Sequence, residues 1–413
     1  MVHRVRFAWR SSTLRRSPMS VVRSAFVSAA VAFACACARP TSPSRPPTEG
    51  ALALTQTVPT GVVLPTAAYR PTDEAWLDLV THARERLDLA FFYGSDRAPS
   101  RLTPVLEAIA AAPRRGVRTR AVFEKIFLAQ YPEIPERMRL AGVNVRIVDR
   151  SATTGGIIHT KMIAADGTRA WVGSANLDWR SLEHIHEVGA LVDNASLAAQ
   201  VHAIVDDDFE RGDSAGMSAR SDEPPLRFVP LVRGSERVGV AFAASPRGYL
   251  PAGIAWDWPS MAALIASARR DLRVEFLSYG SKLRSGEPWP DLEEALVNAS
   301  ARGVAVTMVV STWAAHGKHR DDLTRLQHAG IRVQVATIPE SAEGPIPFAR
   351  VVHGKVVVAD GARCWVGTSN GEGDYFLRSR NAGFFLEGQE TCGELARTVD
   401  ALASAPLGAP FNP

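Results

Sequence analysis

The sequence carries one set of polar residues twice. Each set combines a histidine, a lysine, an aspartate, a hydroxyl residue and an asparagine, and 194 residues separate every member from its counterpart. The two sets are His159, Lys161, Asp166, Ser174 and Asn176, and His353, Lys355, Asp360, Thr368 and Asn370. Packing alone has no reason to repeat such a combination in register, so the repetition indicates a duplicated domain whose halves share one site. A nucleophilic imidazole beside a cation and an amide suits phosphodiester transfer through a histidine.

The residues around each set favour a β-hairpin. Apolar neighbours of His159 and Lys161 predict a strand, and the side-chain period of two would place both residues on one face. Each strand leads to an Asp-Gly pair, which favours a two-residue turn into a return strand containing Trp-Val-Gly. The return strand would bring the hydroxyl residue and the asparagine beside the histidine. Asp166 and Asp360 are candidate catalytic residues, although their position at hairpin ends favours a structural role.

Both motifs resemble those of the phospholipase D superfamily, which is recognised by His-x-Lys-x4-Asp followed by Gly-Ser-x-Asn. Thr368 stands where serine is usual. The stretch Asn176-Leu-Asp-Trp-Arg-Ser181 is similar to the corresponding stretch of the superfamily's endolysosomal branch, which comprises phospholipase D family members three and four. This likeness runs from about Thr72 to about Glu387. Where that branch has Trp-Ser after the second asparagine, this chain has Gly371-Glu372-Gly373, which predicts the loss of an aromatic wall.

The resemblance implies an α/β fold of two fused phospholipase D-like α/β/α repeats with mixed sheets, related by a pseudo-twofold axis around a shared central active site. Alternating strand and helix patterns in both halves favour the same architecture. The predicted strands are residues 87–93, 117–123, 143–148, 272–279, 304–310 and 331–336. The predicted helices are residues 102–112, 135–141, 261–268, 291–302 and 321–329.

The resemblance also implies a residue that orients each imidazole, eleven positions beyond the motif asparagine. That position holds Glu187 in the first half and Asn381 in the second. A carboxylate stabilises an imidazolium better than an amide does. We therefore predict that His159, backed by Glu187, is the nucleophile and that His353 donates a proton to the leaving oxygen. The two imidazoles should face each other across the pseudo-twofold axis.

The remaining motif residues predict phosphate binding without a metal or other cofactor. Lysines and asparagines would neutralise charge on the non-bridging phosphate oxygens. In other phosphodiesterases divalent cations neutralise this charge. The candidate phosphate-binding residues are Lys161, Ser174, Asn176, Lys355, Thr368 and Asn370. His184 and His186 flank Glu187 at alternate positions and form a less favoured metal-ligand alternative.

The predicted partner is a phosphodiester substrate, either a nucleic acid end or a phospholipid. Resemblance to the endolysosomal branch favours single-stranded nucleic acid ends, and the wider superfamily adds phospholipase or phosphatidyl transfer. A degenerate phosphodiester-binding protein without turnover is the alternative, since Asn381 and Gly371 depart from the usual pattern. The complete pair of motifs favours an enzyme.

The N-terminus predicts export to a bacterial cell envelope or secretion. Six arginines and no acids precede or flank a short apolar segment that ends in small residues, and a Pro- and Ser-rich stretch follows. Cys37 and, less favoured, Cys35 are lipidation candidates that would attach the protein to a membrane. Removing six positive charges from the net +4 leaves −2, so the mature chain has no overall basic footprint for nucleic acid.

These signals divide the chain into five segments. We predict a signal peptide at 1–38, a linker at 39–62, a first repeat at 63–219, a connector at 220–237 and a second repeat at 238–405. Cys364 and Cys392 lie in a predicted strand and a predicted C-terminal helix, which favours two buried small apolar residues over metal ligands or a disulfide.

Overall fold

The computed structural model describes residues 50–64, 69–212, 224–317 and 319–413. The leader and both lipidation candidates, Cys35 and Cys37, lie outside the described residues. Everything that is described belongs to one compact unit. Within these ranges, no helix combines the length and the apolar character needed to cross a bilayer.

Strands and helices alternate in both halves. The strands of the first half are β1 (Gly50–Thr57), β2 (Arg70–Pro71), β3 (Arg86–Phe91), β4 (Gly94–Ser95), β5 (Arg118–Glu124), β6 (Asn144–Val148), β7 (Lys161–Ala165), β8 (Arg169–Gly173), β9 (Leu177–Asp178), β10 (Glu187–Asp193) and β11 (Val229–Arg233). The strands of the second half are β12 (Glu236–Ser245), β13 (Ala255–Trp256), β14 (Asp271–Phe276), β15 (Tyr279–Gly280), β16 (Ala305–Ser311), β17 (Arg332–Ala336), β18 (Val356–Ala359), β19 (Arg363–Gly367), β20 (Gly371–Glu372), β21 (Asn381–Glu387) and β22 (Gly408–Pro410).

The helices cover the faces of these strands. Those of the first half are α1 (Thr72–His82), α2 (Thr103–Ala111), α3 (Glu133–Leu140), α4 (Trp179–Glu183) and α5 (Ala195–Arg211), with short 3-10 helices at Pro113–Arg115 and Lys125–Phe127. Those of the second half are α6 (Asp257–Ser267), α7 (Asp291–Ala301), α8 (Thr312–His316), α9 (Arg320–His328), α10 (Gly373–Leu377) and α11 (Gln389–Leu402).

One mixed sheet runs through both halves. In the first half β3, β5 and β6 are parallel, whereas β7, β8, β10 and β1 continue the sheet through antiparallel pairs. The second half repeats the pattern with β14, β16 and β17, then β18, β19, β21 and β12. β11 joins the halves, because it pairs with both β1 and β12. The α/β architecture of two repeats with mixed sheets is therefore confirmed.

Three large apolar cores among the described residues hold this arrangement together. The largest lies under α5 and α11 and contains residues from the sheets of both halves, including Leu197, Val201, Leu395 and Val399. A separate core in each half packs the outer helices against the opposite sheet face. The sheet is thus covered by helices on both faces, and the central core joins the repeats.

The boundaries differ from the sequence predictions where β-structure was missed. Within the predicted linker 39–62, β1 is a central strand, because Leu52 and Leu54 alternate with smaller residues and enter the core. The predicted connector 220–237 contains β11 and the start of β12. The predicted strands around His159 and His353 begin later than expected, at Lys161 and just after Lys355.

The prediction that Cys364 and Cys392 are unbonded was wrong. The two residues form a disulfide between β19 and α11, with their Cα atoms 5.6 Å apart. Each residue is buried, as its apolar surroundings predicted. The sequence did not show that α11 packs directly on β19, and this contact places the two sulfurs together.

The motif hairpins have three-residue turns instead of the predicted two-residue turns, since Ala165 pairs with Arg169 and Ala359 with Arg363. Asp166 and Asp360 open these turns with φ values of 51° and 54°. The Asp166 carboxylate accepts the backbone N–H groups of residues 84, 85 and 86 at 2.8–3.1 Å. Asp360 accepts those of residues 269, 270 and 271. Both aspartates therefore tie a hairpin to the start of a neighbouring strand.

We expect Asp166→Asn to lower the free energy of unfolding by about 1–3 kcal/mol, because charge-assisted hydrogen bonds to three N–H groups are weakened. Denaturant titration would measure the free energy of unfolding. The matched control is Glu107→Gln, at an exposed position of α2. Burial raises the pKa of Asp166, but the backbone donors outweigh it and the net shift is downward. This stabilisation is present above the ordinary pKa and is lost as the pH falls through the folded value, so the difference between variant and parent should shrink in acid. An equal loss for Glu107→Gln would contradict this role.

Candidate active site

A cavity of about 290 Å³ lies where loops from the two halves meet. Both motif histidines and both motif asparagines line it. The remaining lining residues are mostly aromatic or aliphatic, namely Phe92, Tyr93, Phe127, Gln130, Tyr131, Ile185, Leu277, Trp313, Phe348, Val351 and Tyr375. The structure thus brings the two repeated motifs to one site.

The first imidazole is held by the second half. The backbone N–H of His159 donates to the Arg380 carbonyl at 2.9 Å, and its Nδ1 lies 3.0 Å from Asn381 Oδ1. Asn381 Nδ2 donates to the Tyr375 carbonyl at 2.8 Å, so Oδ1 is the acceptor for His159. Nδ1 of His159 therefore carries a hydrogen, and the lone pair of the neutral ring is on Nε2.

The second imidazole is held by the first half in the same way. The backbone N–H of His353 donates to the His186 carbonyl at 2.9 Å. Its Nδ1 lies 2.8 and 2.9 Å from the two carboxylate oxygens of Glu187. This acceptor again fixes the hydrogen on Nδ1 and leaves Nε2 free for chemistry.

The prediction that Glu187 backs His159 was wrong, because the orienting residues cross between the halves. Parallel backbone bridges join His186 to Val352 and Ile158 to Arg380. These bridges place the first residue of β10 beside the histidine of the second half, and the first residue of β21 beside that of the first. A carboxylate thus supports His353 and an amide supports His159, which reverses the basis for assigning the nucleophile.

The two lysines lie beneath the histidines and are fully buried. Lys161 Nζ donates to the His159 carbonyl at 2.6 Å, and Lys355 Nζ donates to the His353 carbonyl at 2.5 Å. Burial lowers the pKa of Lys161 well below its ordinary value and that of Lys355 to about 7. Glu187 opposes this shift in both cases, and an incoming phosphate would oppose it further.

The hydroxyl residues have a different place from that predicted. Ser174 Oγ accepts the Val188 N–H at 2.9 Å, and Thr368 Oγ1 accepts the Ala382 N–H at 3.1 Å. Thr368 also donates to Asn381 Oδ1 at 2.8 Å. These hydroxyls are not on the cavity wall, so they support the orienting residues instead of contacting phosphate directly. Asn176 and Asn370 do line the cavity.

Burial lowers the pKa of both motif histidines, which favours neutral imidazoles in the unliganded site. Burial lowers the pKa of His159 well below 6.5, and Lys161 and Lys355 lower it further. Burial also lowers the pKa of His353, although Glu187 opposes the shift. For Glu187, burial raises the pKa, but the hydrogen bond from His353 and the charge of Lys355 outweigh burial and the net shift is downward.

A series of buried, hydrogen-bonded side chains behind His353 was not predicted from the sequence. His186 Nδ1 donates to Glu275 Oε1 at 2.9 Å, and Gln56 Nε2 lies 3.1 Å from His186 Nε2. A Cβ at residue 354 would lie 2.4 Å from Glu275 Oε1, so glycine permits this close approach. Glu275 between the apolar residues Val274 and Phe276 of β14 was the available signal. His184 packs against Trp179 instead of joining His186, so the pair does not form a metal site.

Gly371 and Gly373 provide no aromatic wall at their own positions, so the predicted loss there stays a prediction. Aromatic rings from other positions surround the first histidine. Phe92 and Tyr375 approach the His159 ring edge-on, with centroids 4.9 and 4.7 Å away. No spacing rule joins residues this far apart along the chain.

Fold and site together define a twin-motif α/β protein in which each half contributes a histidine and an asparagine to a common cavity and a buried lysine behind its histidine. The chain belongs to the phospholipase D superfamily: the family model described as "Cardiolipin synthase, PLD-like domain" matches residues 76–209 and 259–403. The resemblance inferred from the motifs is confirmed, and the class is that of phosphodiesterases.

Similar proteins include enzymes of nucleic acid and lipid chemistry. The 5'-3' exonuclease PLD3 of Rattus norvegicus is 27% identical over 398 residues, covering 87% of this chain and 79% of the relative. The virion nicking-joining enzyme of Vaccinia virus is 29% identical over 344 residues, covering 78% and 80%. A probable phospholipase D of Caenorhabditis elegans is 26% identical over 380 residues, covering 84% and 68%.

Solved structures share the fold. Phosphatidylserine synthase of Haemophilus influenzae superposes with a TM-score of 0.59 at 12% identity, covering 82% of this chain and 85% of that protein. Polyphosphate kinase of Porphyromonas gingivalis superposes with a TM-score of 0.54 at 11% identity, covering 87% and 48%. At these identities the likeness concerns the arrangement of helices and strands only.

Proposed function

We propose that this protein is an exported, metal-independent phosphodiesterase that cleaves single-stranded nucleic acid ends through a covalent phosphohistidine. The observation that carries the proposal is the pair of imidazoles in one cavity, each held through Nδ1 and each with an Nε2 that makes no hydrogen bond to the described residues. Similarity to an exonuclease and to a nicking-joining enzyme supports a nucleic acid substrate. Aromatic rings around the cavity support it too, since bases stack on such rings.

In the first step, Nε2 of His353 attacks phosphorus while the bond to the leaving oxygen breaks. Glu187 stabilises the positive charge that develops on this imidazole. His159 donates its proton to the leaving oxygen. His159 is neutral in the free site, and the bound phosphodiester anion favours its protonated form.

In the second step, water attacks the phosphohistidine. His159, now neutral, accepts a proton from the water, and the phosphorus–nitrogen bond breaks to restore His353. Asn176 and Asn370 donate hydrogen bonds to the non-bridging oxygens in both steps, and the buried Lys161 and Lys355 supply positive charge from behind the histidines. An alcohol in place of water would give transfer instead of hydrolysis.

Export is supported by two independent features. The arginine-rich leader is typical of a secretory signal. The disulfide between Cys364 and Cys392 is typical of proteins that reside in oxidising compartments. We propose a bacterial cell envelope, periplasmic or lipid-anchored through Cys37 or Cys35, or secretion.

A phospholipid substrate is the second candidate. Trp313 and Phe348 line the cavity with 46% and 63% of their surface exposed. Exposed aromatic residues at the mouth of the cavity also suit a lipid interface.

The alternative of a binding protein without turnover rested on Asn381 and Gly371. Asn381 no longer supports this alternative, because it is the hydrogen-bond partner of His159.

We expect cleavage to continue in excess EDTA, because the paired lysines supply the charge that two-metal enzymes take from cations. Product analysis would compare single-stranded DNA, RNA, phosphatidylglycerol and phosphatidylcholine with EDTA present. Adding magnesium or zinc back to the treated enzyme serves as the control and should leave the rate unchanged. A strict requirement for either ion would refute the mechanism, whereas exclusive cleavage of lipid would favour the second candidate.

A further inference from the structure

The two halves line the cavity differently although their backbones correspond. The strand pairs β4–β9 and β15–β20 have the same register, so Gly94 corresponds to Tyr279. The preceding residues Phe92 and Tyr93 therefore correspond to Leu277 and Ser278. The first half places aromatic rings where the second half has an aliphatic and a small side chain.

Four of the first-half rings form one cluster, which we call the aromatic platform: Phe92, Tyr93, Phe127 and Tyr131. Tyr93 and Tyr131 are stacked, with centroids 4.8 Å apart and an interplanar angle of 21°. Phe127 packs against Phe92 at 4.7 Å and against Tyr93 at 5.3 Å. All four rings are half-buried and line the cavity, so part of each remains available to a ligand.

Buried polar contacts fix the platform. The Tyr93 hydroxyl donates to Asp178 Oδ2 at 2.7 Å. Arg180 donates to the same carboxylate at 2.6 and 3.0 Å and lies 3.4 Å from the Tyr131 hydroxyl. The charges of Asp178 and Arg180 compensate each other, so the platform is a preorganised aromatic surface without a net charge of its own, and Tyr93 and Tyr131 are its near-parallel pair.

The platform lies on the side of His159, since Phe92 contacts this imidazole. In-line displacement places the nucleophile and the leaving oxygen on opposite sides of phosphorus. With Glu187-supported His353 as nucleophile, the leaving group is beside His159 and therefore beside the platform.

We propose that the aromatic platform is a stacking subsite for the nucleobase of the leaving nucleoside. This rests on the proposed function and adds the side of the scissile phosphate on which the enzyme reads its substrate. A planar base matches the stacked rings, and base–aromatic stacking tolerates every base because each has a π-face. A quaternary ammonium leaving group is less suited, because Asp178 is already paired with Arg180.

The test compares dTpdT with two analogues, each lacking the base on one side of the phosphate. Product analysis identifies the leaving nucleoside. Loss of its base should lower kcat/KM at least about fivefold, whereas loss of the retained base should have a smaller effect. Both ratios are measured within one enzyme preparation, so they do not depend on the fraction of folded protein.

Three variants test whether the preference for a leaving-side base depends on the aromatic platform. Tyr131→Ala should abolish the preference for a leaving-side base, whereas Tyr131→Phe keeps the ring and should retain the preference. Trp313→Ala removes an aromatic residue of the second half and should also retain it. Cleavage of dTpdT with no leaving-side preference, or a preference unaltered by Tyr131→Ala, would overturn the subsite alone. Failure of the parent enzyme to cleave dTpdT and longer oligonucleotides would overturn the proposed function and the subsite together.

Discussion

His159→Ala should release one p-nitrophenol per active site from bis(p-nitrophenyl) phosphate in a rapid burst, followed by a slow steady rate. This aryl leaving group has little need of a proton donor, so His353 still attacks phosphorus. The second step lacks its general base, and the covalent intermediate accumulates. Mass spectrometry after a denaturant quench should find the aryl phosphoryl adduct on His353.

His353→Ala is the matched control, and it should give neither a burst nor an adduct because no covalent intermediate can form. For substrates with alkoxide leaving groups, both variants should be nearly inactive. An adduct on His159 in the His353→Ala variant would restore the assignment expected from the sequence alone. Absence of any adduct together with absence of turnover would favour a binding protein.

Glu187→Gln should lower kcat by about two to four orders of magnitude, as expected when a carboxylate that orients a catalytic histidine is lost. Because Glu187 contacts His353, the loss should persist with bis(p-nitrophenyl) phosphate. Rapid-quench kinetics would separate formation of the intermediate from its hydrolysis.

Asn381→Ala provides the comparison, because Asn381 contacts His159 instead. Its slow first step with alkoxide leaving groups should be rescued by the aryl substrate, which needs no acid. Rescue of Glu187→Gln and not of Asn381→Ala would show that the roles of the two histidines are opposite to those proposed. Thermal unfolding of both variants would separate these effects from a loss of structure.

The sequence predicted the repeated architecture because hydrophobic periodicity and hairpin signals are local. It also indicated which two histidines line one cavity, since an in-register duplication of the motif favours a shared site. It failed for contacts that depend on how the halves join. The disulfide requires α11 to lie on β19, and the Glu187–His353 contact requires β10 to begin beside the opposite motif.

The aromatic platform was missed for a related reason. Two of its rings follow β3 directly and the other two follow β5, in and after the 3-10 helix Lys125–Phe127, and the parallel pairing of these strands brings them together. Asp178 and Arg180 lie in a motif that the sequence did identify, but their contact with Tyr93 and Tyr131 is tertiary. Periodicity describes a single element, whereas these groups are defined by neighbouring elements.

The crossed support of the imidazoles makes the two halves mutually dependent. A polypeptide ending before β12 would contain His159 without Asn381, and a polypeptide starting there would contain His353 without Glu187. Neither fragment could set the tautomer of its own histidine. An ancestral single repeat with this geometry could therefore have worked only as a pair of identical chains. After fusion, each half became free to specialise its own cavity wall, while every change at residue 187 or 381 continued to act on the opposite half.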